Sequence, residues 1–222
     1  MSASRSPADS RRERRFIRHL AILIDVSKYR AFISYSHQDE RWGSWLHRKL
    51  ETYRVPKRLI DRSTARGAIA RRLLPIFRDR EELASATDLG DTITAALENS
   101  EALIVICSPA SARSRWVNEE ILTFKRLGRA DSVFCVIVDG EPNASNTADP
   151  ESECFPPALR FHLGDDGELS DRHAEPIAAD ARDGKDGKSG ALLKLIAGLL
   201  GVGPVSYTHL RAHETYEVIS YY

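Results

Sequence analysis

Ala102-Leu-Ile-Val-Ile-Cys107 is an unbroken apolar run of strand length. It shows no apolar/polar alternation, so a strand here is buried on both faces, as in the middle of a parallel sheet. Pro109 ends it. Val133-Phe-Cys-Val-Ile-Val138 repeats the pattern. Between the two, Ser114 to Leu127 has helical periodicity, with Ser114 suited to the N-cap and Gly128 to the C-cap. Two doubly buried strands joined through a helix predict helices on both faces of one sheet.

The same rhythm extends in both directions. Ala31-Phe-Ile-Ser-Tyr35 is a short β-rich run. Asp39 to Tyr53 then sets Trp42, Trp45, Leu46, Lys49, Leu50 and Tyr53 at helical spacing. Leu73-Leu-Pro-Ile-Phe77 predicts another strand, where Pro75 fits an edge or a strand start. Arg78 to Gly90 is a charged loop, followed by a helix over Asp91 to Leu97 with Ile93, Ala96 and Leu97 inward. Asp139 to Arg172 reads as irregular, Pro176-Ile177 as a short edge strand, and Asp183 to Gly190 as a loop. Ala191 to Leu200 is a last helix with Leu192, Leu195, Ile196 and Leu199 inward. The expected fold is α/β, a central parallel sheet with helices on both faces. Functional residues in such folds gather at the carboxyl ends of the strands, here Ser34–Asp39, Arg78–Asp79, Ser108–Ser114 and Asp139–Gly140.

Composition bounds the function. The 222 residues are 42% hydrophobic and 29% charged, which excludes whole-chain disorder and collagen-like scaffolds. Lys+Arg and Asp+Glu are 32 each. A binder held by phosphate contacts needs a basic excess, so nucleic acid is not an expected partner. The balance hides a split: residues 1–80 hold 20 Lys/Arg against 8 Asp/Glu, and residues 81–222 hold 12 against 24. The three cysteines, Cys107, Cys135 and Cys154, form no CxxC pair. Cys107 and Cys135 read as small core hydrophobes in a reducing, cytoplasmic setting. No apolar run approaches the ~18–20 residues of a membrane span. Residues 1–27 are expected to be a basic, solvated leader and 28–203 the folded domain. Val205 to Thr215 is similar to translated sequencing-adapter sequence, so 204–222 is expected to be a non-native tail.

Several chemical motifs fail. Gly187-Lys188-Ser189 has the end of a phosphate-binding loop, but Arg182 stands where its first Gly is required. Lys185 falls where a calcium loop needs a carboxylate. Ser34, His37 and Asp39 lack the nucleophile elbow of a hydrolase. No His/Cys/Asp cluster has zinc spacing, so no metal is expected. G-x-G-x-x-G is absent, and with it support for a dinucleotide dehydrogenase. A phosphoacceptor receiver domain needs an Asp where the central strand ends in Cys107-Ser108.

What remains is an ordered set. It comprises Phe32-Ile-Ser-Tyr-Ser36, Phe77-Arg-Asp-Arg-Glu-Glu-Leu83 with Gly90, Ser108-Pro109, and Ser114-Arg-Trp-Val-Asn-Glu-Glu-Ile121. In this order, over Tyr29 to about Gly203, the chain resembles the TIR (Toll/interleukin-1 receptor) domain in its bacterial form. The first segment resembles the family's first-strand box, the second its BB loop, and the last the W-x-x-x-E pattern of NAD-cleaving members.

The resemblance implies a flavodoxin-like three-layer fold. It implies cleavage of NAD at the nicotinamide–ribose bond, in bacterial signalling or defence, with NAD as substrate and no separate cofactor. The alternatives left open are a non-catalytic module that recruits other TIR domains and a flavodoxin-like nucleotide binder of another kind, for instance a nucleoside-modifying enzyme. It assigns catalysis to Glu120; Glu119 is its competitor by sequence alone and points about 100° away around the helix. Phe32, Tyr35, Ser36, Arg78, Asp79 and Trp116 are the residues it implies for the substrate, with a plain core role the competing reading of Phe32. Trp116 is expected to pack while Glu120 points into the strand-end cleft. Arg78, Asp79, Arg80, Glu81, Glu82, Leu83 and Gly90 belong to the loop through which copies are expected to self-associate. In such an assembly the basic early part of one copy is expected to face acidic later segments of the next.

Overall fold

The computed structural model describes residues 29–78 and 89–203, with side chains from 92 onward in the second stretch. The expected leader, the expected tail and the loop residues Asp79 to Leu83 lie outside the described residues.

The elements follow in chain order. β1 is Ala31–Ser34, α1 Glu40–Thr52, β2 Ser63–Thr64, β3 Gly67–Ala68 and β4 Ile76–Arg78. Then come α2 Leu89–Glu98, β5 Leu103–Cys107, α3 Pro109–Ala112, α4 Arg115–Arg126 and β6 Val133–Ile137. α5 Pro157–Arg160, β7 Phe161–Leu163, β8 Leu169–His173, β9 Ala178–Asp180 and α6 Gly187–Leu200 complete the described chain.

Five strands form one parallel sheet in the order β4-β1-β5-β6-β9. Numbered within the sheet, that is 2-1-3-4-5, the flavodoxin-like order. The two apolar runs, β5 and β6, lie inside the sheet, and all five residues of β5 are buried. Burial on β6 begins only at Cys135.

Strand alternation divides the core into two layers. Ala31, Ile33, Ile76, Ile104 and Val136 meet Leu46 and Leu50 of α1 and Leu195 and Ile196 of α6. Phe32, Phe77, Val105, Cys135 and Ile137 meet Leu97 of α2 and Val117, Ile121 and Phe124 of α4. The molecule is therefore three layers, with α1 and α6 on one face and α2, α4 and α5 on the other.

Several boundaries move. β4 begins after Pro75 and ends on Arg78, and it is an edge strand. α2 begins at Leu89, so Gly90 lies in a helix rather than in the loop. Ala178–Asp180 forms the other edge, just past Ile177, which is 92% exposed. α6 starts at Gly187, inside the expected loop, and its Leu193, Ala197 and Leu200 are buried as well as the predicted face. Lys49, at helical spacing with the apolar residues of α1, is exposed.

Two small antiparallel pairs also form, β2–β3 and β7–β8, the second within the stretch expected to be irregular. Among the described residues no helix is long and apolar enough to cross a membrane. No group of three or more His, Cys, Asp or Glu among them can hold a metal ion.

Candidate active site

The strand order places the topological switch point between β1 and β5, where the chain moves from one side of the first strand to the other. Open α/β sheets bind ligands in the crevice outside the carboxyl ends at this point. Two hydrogen bonds link its walls.

The deeper one joins Ser34, the last residue of β1, to α4. Ser34 Oγ donates to Glu120 Oε2 at 2.5 Å. Ser34 is fully buried and Glu120 is 7% exposed. β1 alternates, so Ser34 shares the face of Phe32 and points toward α4. α4 is set by its own N-cap: Ser114 Oγ accepts from the Val117 N–H at 3.4 Å. Gly128 follows the helix at φ +74, the left-handed geometry of a helix stop. Within α4 the Val117, Glu120, Ile121 and Phe124 positions face the sheet, while Glu119 is exposed. Periodicity thus separates the two glutamates.

The outer link crosses the switch point. Ser108 Oγ, just past β5, donates to Asp39 Oδ2 at 2.6 Å. The same oxygen accepts from the N–H groups of Ala110 and Ser111, and Ser111 Oγ accepts from the Ser108 N–H, a reciprocal capping box on α3. Burial raises the Asp39 carboxyl above its ordinary value; the Ser108 hydrogen bond works against this and the nearby Asp139 charge adds to it. Beside these groups the β6 end turns at Gly140, φ +76. A Cβ there would lie 2.5 Å from Ser152 O and 2.8 Å from Pro109, so only glycine lets this turn close against α3.

The other expected site residues divide. Ser36 follows β1 and its carbonyl accepts from the Asp39 N–H at 2.8 Å, so it borders the switch point. Phe32 is corrected: it is fully buried and stacks on Phe77 at 5.0 Å, a core residue with no face open to a ligand. Tyr35 faces the α1 layer, against Gly43, where a Cβ would come within 3.1 Å of its ring. Arg78 also faces α1, donating to Ser44 Oγ, and is 4% exposed. Alternation along β4 puts it on the face of Ile76, opposite that of Phe77 and Glu120. Trp116 does not pack: it is 71% exposed, on the first turn of α4. Asp79 lies outside the described residues.

Sequence reasoning passed over Ser34 as a partner for Glu120, and over the Asp39–Ser108 link. The signal for the first was present: a hydroxyl on the inward side of an apolar strand needs a buried partner. The second joins residues 69 apart, and nothing local announces it.

A family model described as TIR domain matches residues 31–160. Over 184 residues the chain is 33% identical to the protein named NAD(+) hydrolase ApTIR from Actinoplanes sp., covering 79% of this chain and 24% of that one. The chain thus spans about a quarter of that relative's length. The TIR domains in a structure of the activated Roq1 resistosome align at 20% identity with a TM-score of 0.39, covering 55% of this chain and 64% of theirs. With its matched region running from β1 through α5, the chain belongs to the TIR domain family.

Proposed function

We propose that this domain cleaves NAD at the nicotinamide–ribose bond, with Glu120 as the catalytic carboxylate. The observation that carries the proposal is the buried Ser34–Glu120 hydrogen bond at the β1/β5 switch point. The 33% identity to a protein named as an NAD(+) hydrolase supports the substrate.

The chemistry asks little of the protein. The C–N bond breaks with its electron pair moving to nitrogen, so the pyridinium leaves as neutral nicotinamide and needs no general acid. Positive charge develops on the ribose carbon and ring oxygen. A carboxylate fixed beside that ring stabilises the charge and holds the ribose hydroxyls. Water then bonds to the ribose carbon and releases a proton, giving ADP-ribose; a ring nitrogen of the same substrate gives a cyclic isomer instead. Ser34 acts as a positioning residue, because its hydroxyl fixes one Glu120 oxygen and leaves the carboxylate's orientation set before substrate arrives.

Trp116 sits one turn ahead of Glu120 on the same side of α4. Its exposed ring suits a lid face that a nicotinamide, or a neighbouring copy, covers. Self-association through the loop after β4, and a role in bacterial signalling or defence, belong to the same proposal.

The test is nicotinamide release by the purified full chain incubated with NAD, alone and with a crowding agent. Wild type and Glu119→Gln are expected to be active and Glu120→Gln inactive. Equal turnover by Glu120→Gln and wild type would overturn the assignment. No turnover by any of them, with concentration-dependent association intact, would favour a recruiting module instead.

A further inference from the structure

Asp39 stands at the N-cap position of α1, yet its side chain makes no cap hydrogen bond. An Asp there ordinarily accepts from the N–H groups two or three residues on. This one is turned across the switch point instead, where Oδ2 accepts from Ser108 Oγ at 2.6 Å. A side chain that suits its local position but serves a distant one points to a role outside the helix.

An ionised carboxylate only accepts hydrogen bonds, with about four lone-pair sites to fill. Among the described residues Asp39 Oδ1 takes no hydrogen bond, and no Lys or Arg pairs with the group. Burial is the largest influence on its raised carboxyl and outweighs the Ser108 bond. The half-buried carboxylate is therefore short of donors at the outer part of the crevice. The other charge that acts on it, Asp139, is also negative. Two neighbouring negative charges repel phosphate oxygens and favour a neutral hydroxyl donor.

Strand register places Asp39 relative to Glu120. Ser34, which holds Glu120, is level with Val105 on the neighbouring strand. Ser108 lies three residues beyond Val105 and is still extended, with φ −152° and ψ 167°. At ~3.3 Å per residue the two serines stand roughly 10 Å apart along the strands. Alternation widens the separation: Ser34 faces α4, whereas Ser108, one past Cys107, turns to the α1 side. Paired carboxylates that act on one sugar carbon stand about 5–9.5 Å apart. Asp39 lies beyond that range, where a second part of an extended substrate would pass.

We propose that Asp39 binds a ribose: Oδ1 accepts from the vicinal hydroxyls of the substrate's adenosine half, while Glu120 holds the ribose that bears nicotinamide. The two carboxylates then take the two sugars of one dinucleotide, and the pyrophosphate spans the crevice between them. A carboxylate on a ribose hydroxyl is also how dinucleotide-binding α/β folds hold NAD. The identity of the ligand rests on the NAD-cleaving reading.

The experiment is equilibrium dialysis of labelled NAD against the full chain carrying Glu120→Gln, with the crowding agent present, and the same with Asp39→Asn added. The introduced amide still accepts from Ser108, so the melting temperature should not fall. Asp39→Asn is expected to weaken NAD by about tenfold or more, the size of one lost charge-assisted hydrogen bond. ADP, which carries the adenosine ribose alone, is expected to displace the label, and to do so about tenfold less well after Asp39→Asn. With Glu120 intact, Asp39→Asn is expected to raise KM and nearly keep kcat, the mark of a contact equally strong in ground and transition states.

NAD affinity unchanged by Asp39→Asn, ADP displacement unchanged by it, or no displacement up to millimolar ADP would each overturn the proposal. Binding is read without turnover. NAD bound through Asp39 with no nicotinamide release would therefore sink the catalytic reading alone, and Glu120-dependent release with NAD affinity indifferent to Asp39→Asn would sink this one alone.

Discussion

Glu120 and Glu153 are both buried carboxylates, 7% and 6% exposed, and they serve different ends. Glu153 is tied into its own loop. It accepts from the Asn143 N–H at 3.1 Å, the Ser145 N–H at 3.0 Å and hydroxyl at 2.9 Å, and the Phe155 N–H at 2.9 Å. Arg160 stands 3.5 Å away. Burial works against its charge, but the Phe155 and Ser145 donors and Arg160 outweigh burial and hold its carboxyl below the ordinary value. Glu120 is held instead by the end of a strand 86 residues away, at the crevice of the sheet. Burial alone does not separate the two glutamates. The described partners of Glu153 organise its own segment, whereas Ser34 joins Glu120 to a distant strand.

The comparison breaks most visibly at Glu120. Glu120→Gln is expected to lower nicotinamide release by ~10²-fold or more, the scale of losing one transition-state stabiliser, while the urea midpoint barely moves. Glu153→Ala is expected to do the reverse. It strands four donors and Arg160, costing on the order of 2–4 kcal/mol in urea unfolding, with turnover per folded molecule kept. If Glu153→Ala abolished turnover in folded protein, the division between the two glutamates would fail.

Acid sharpens the same contrast. Because the folded Glu153 value is lowered, its contribution is fully present above the ordinary glutamate value near 4.5 and is lost as pH falls through the folded value. The stability gap between wild type and Glu153→Gln should therefore close on acidification across that window. Asp39 is predicted to behave in the opposite sense, with a smaller effect. Its folded value is raised, so its charge costs stability at neutral pH and the cost fades as pH falls toward 3.8. Asp39→Asn, which still accepts from Ser108, should melt slightly higher than wild type at pH 7 and converge with it in acid. Trp116→Ala should change folding stability least, within ~0.5 kcal/mol by urea unfolding, because its ring is in water.

The legible parts of the fold were those with one dominant physical cause. β5 is apolar because helices cover both its faces, and no other element fits such a run. The β2–β3 and β7–β8 pairs were not legible. Ser63-Thr64 and Gly67-Ala68 are too short to alternate, and Leu169–His173 is polar with its last three residues exposed. At the candidate site, Glu120 stood out through helical spacing and the family pattern. Arg78 and Tyr35 stand at the expected strand ends, and both face the α1 layer rather than the side of Glu120. Counting in twos from Phe77 and Phe32 supplies the correction, since each strand sends successive residues to opposite layers. Phe32 as a ring wall failed for a related reason: a phenyl in the middle of a strand beside another phenyl is filled in by the core before a ligand can reach it.

The 86-residue span of the Ser34–Glu120 hydrogen bond also bears on how the protein is made. β1 leaves the ribosome long before α4, and its neighbour β5 is synthesised in between. A nascent chain therefore has no assembled carboxylate site until α4 has emerged and β5 has docked beside β1. On the proposed chemistry, an unfinished or truncated chain ending before α4 would leave NAD untouched, so the topology itself delays that activity until translation has passed the helix that carries Glu120.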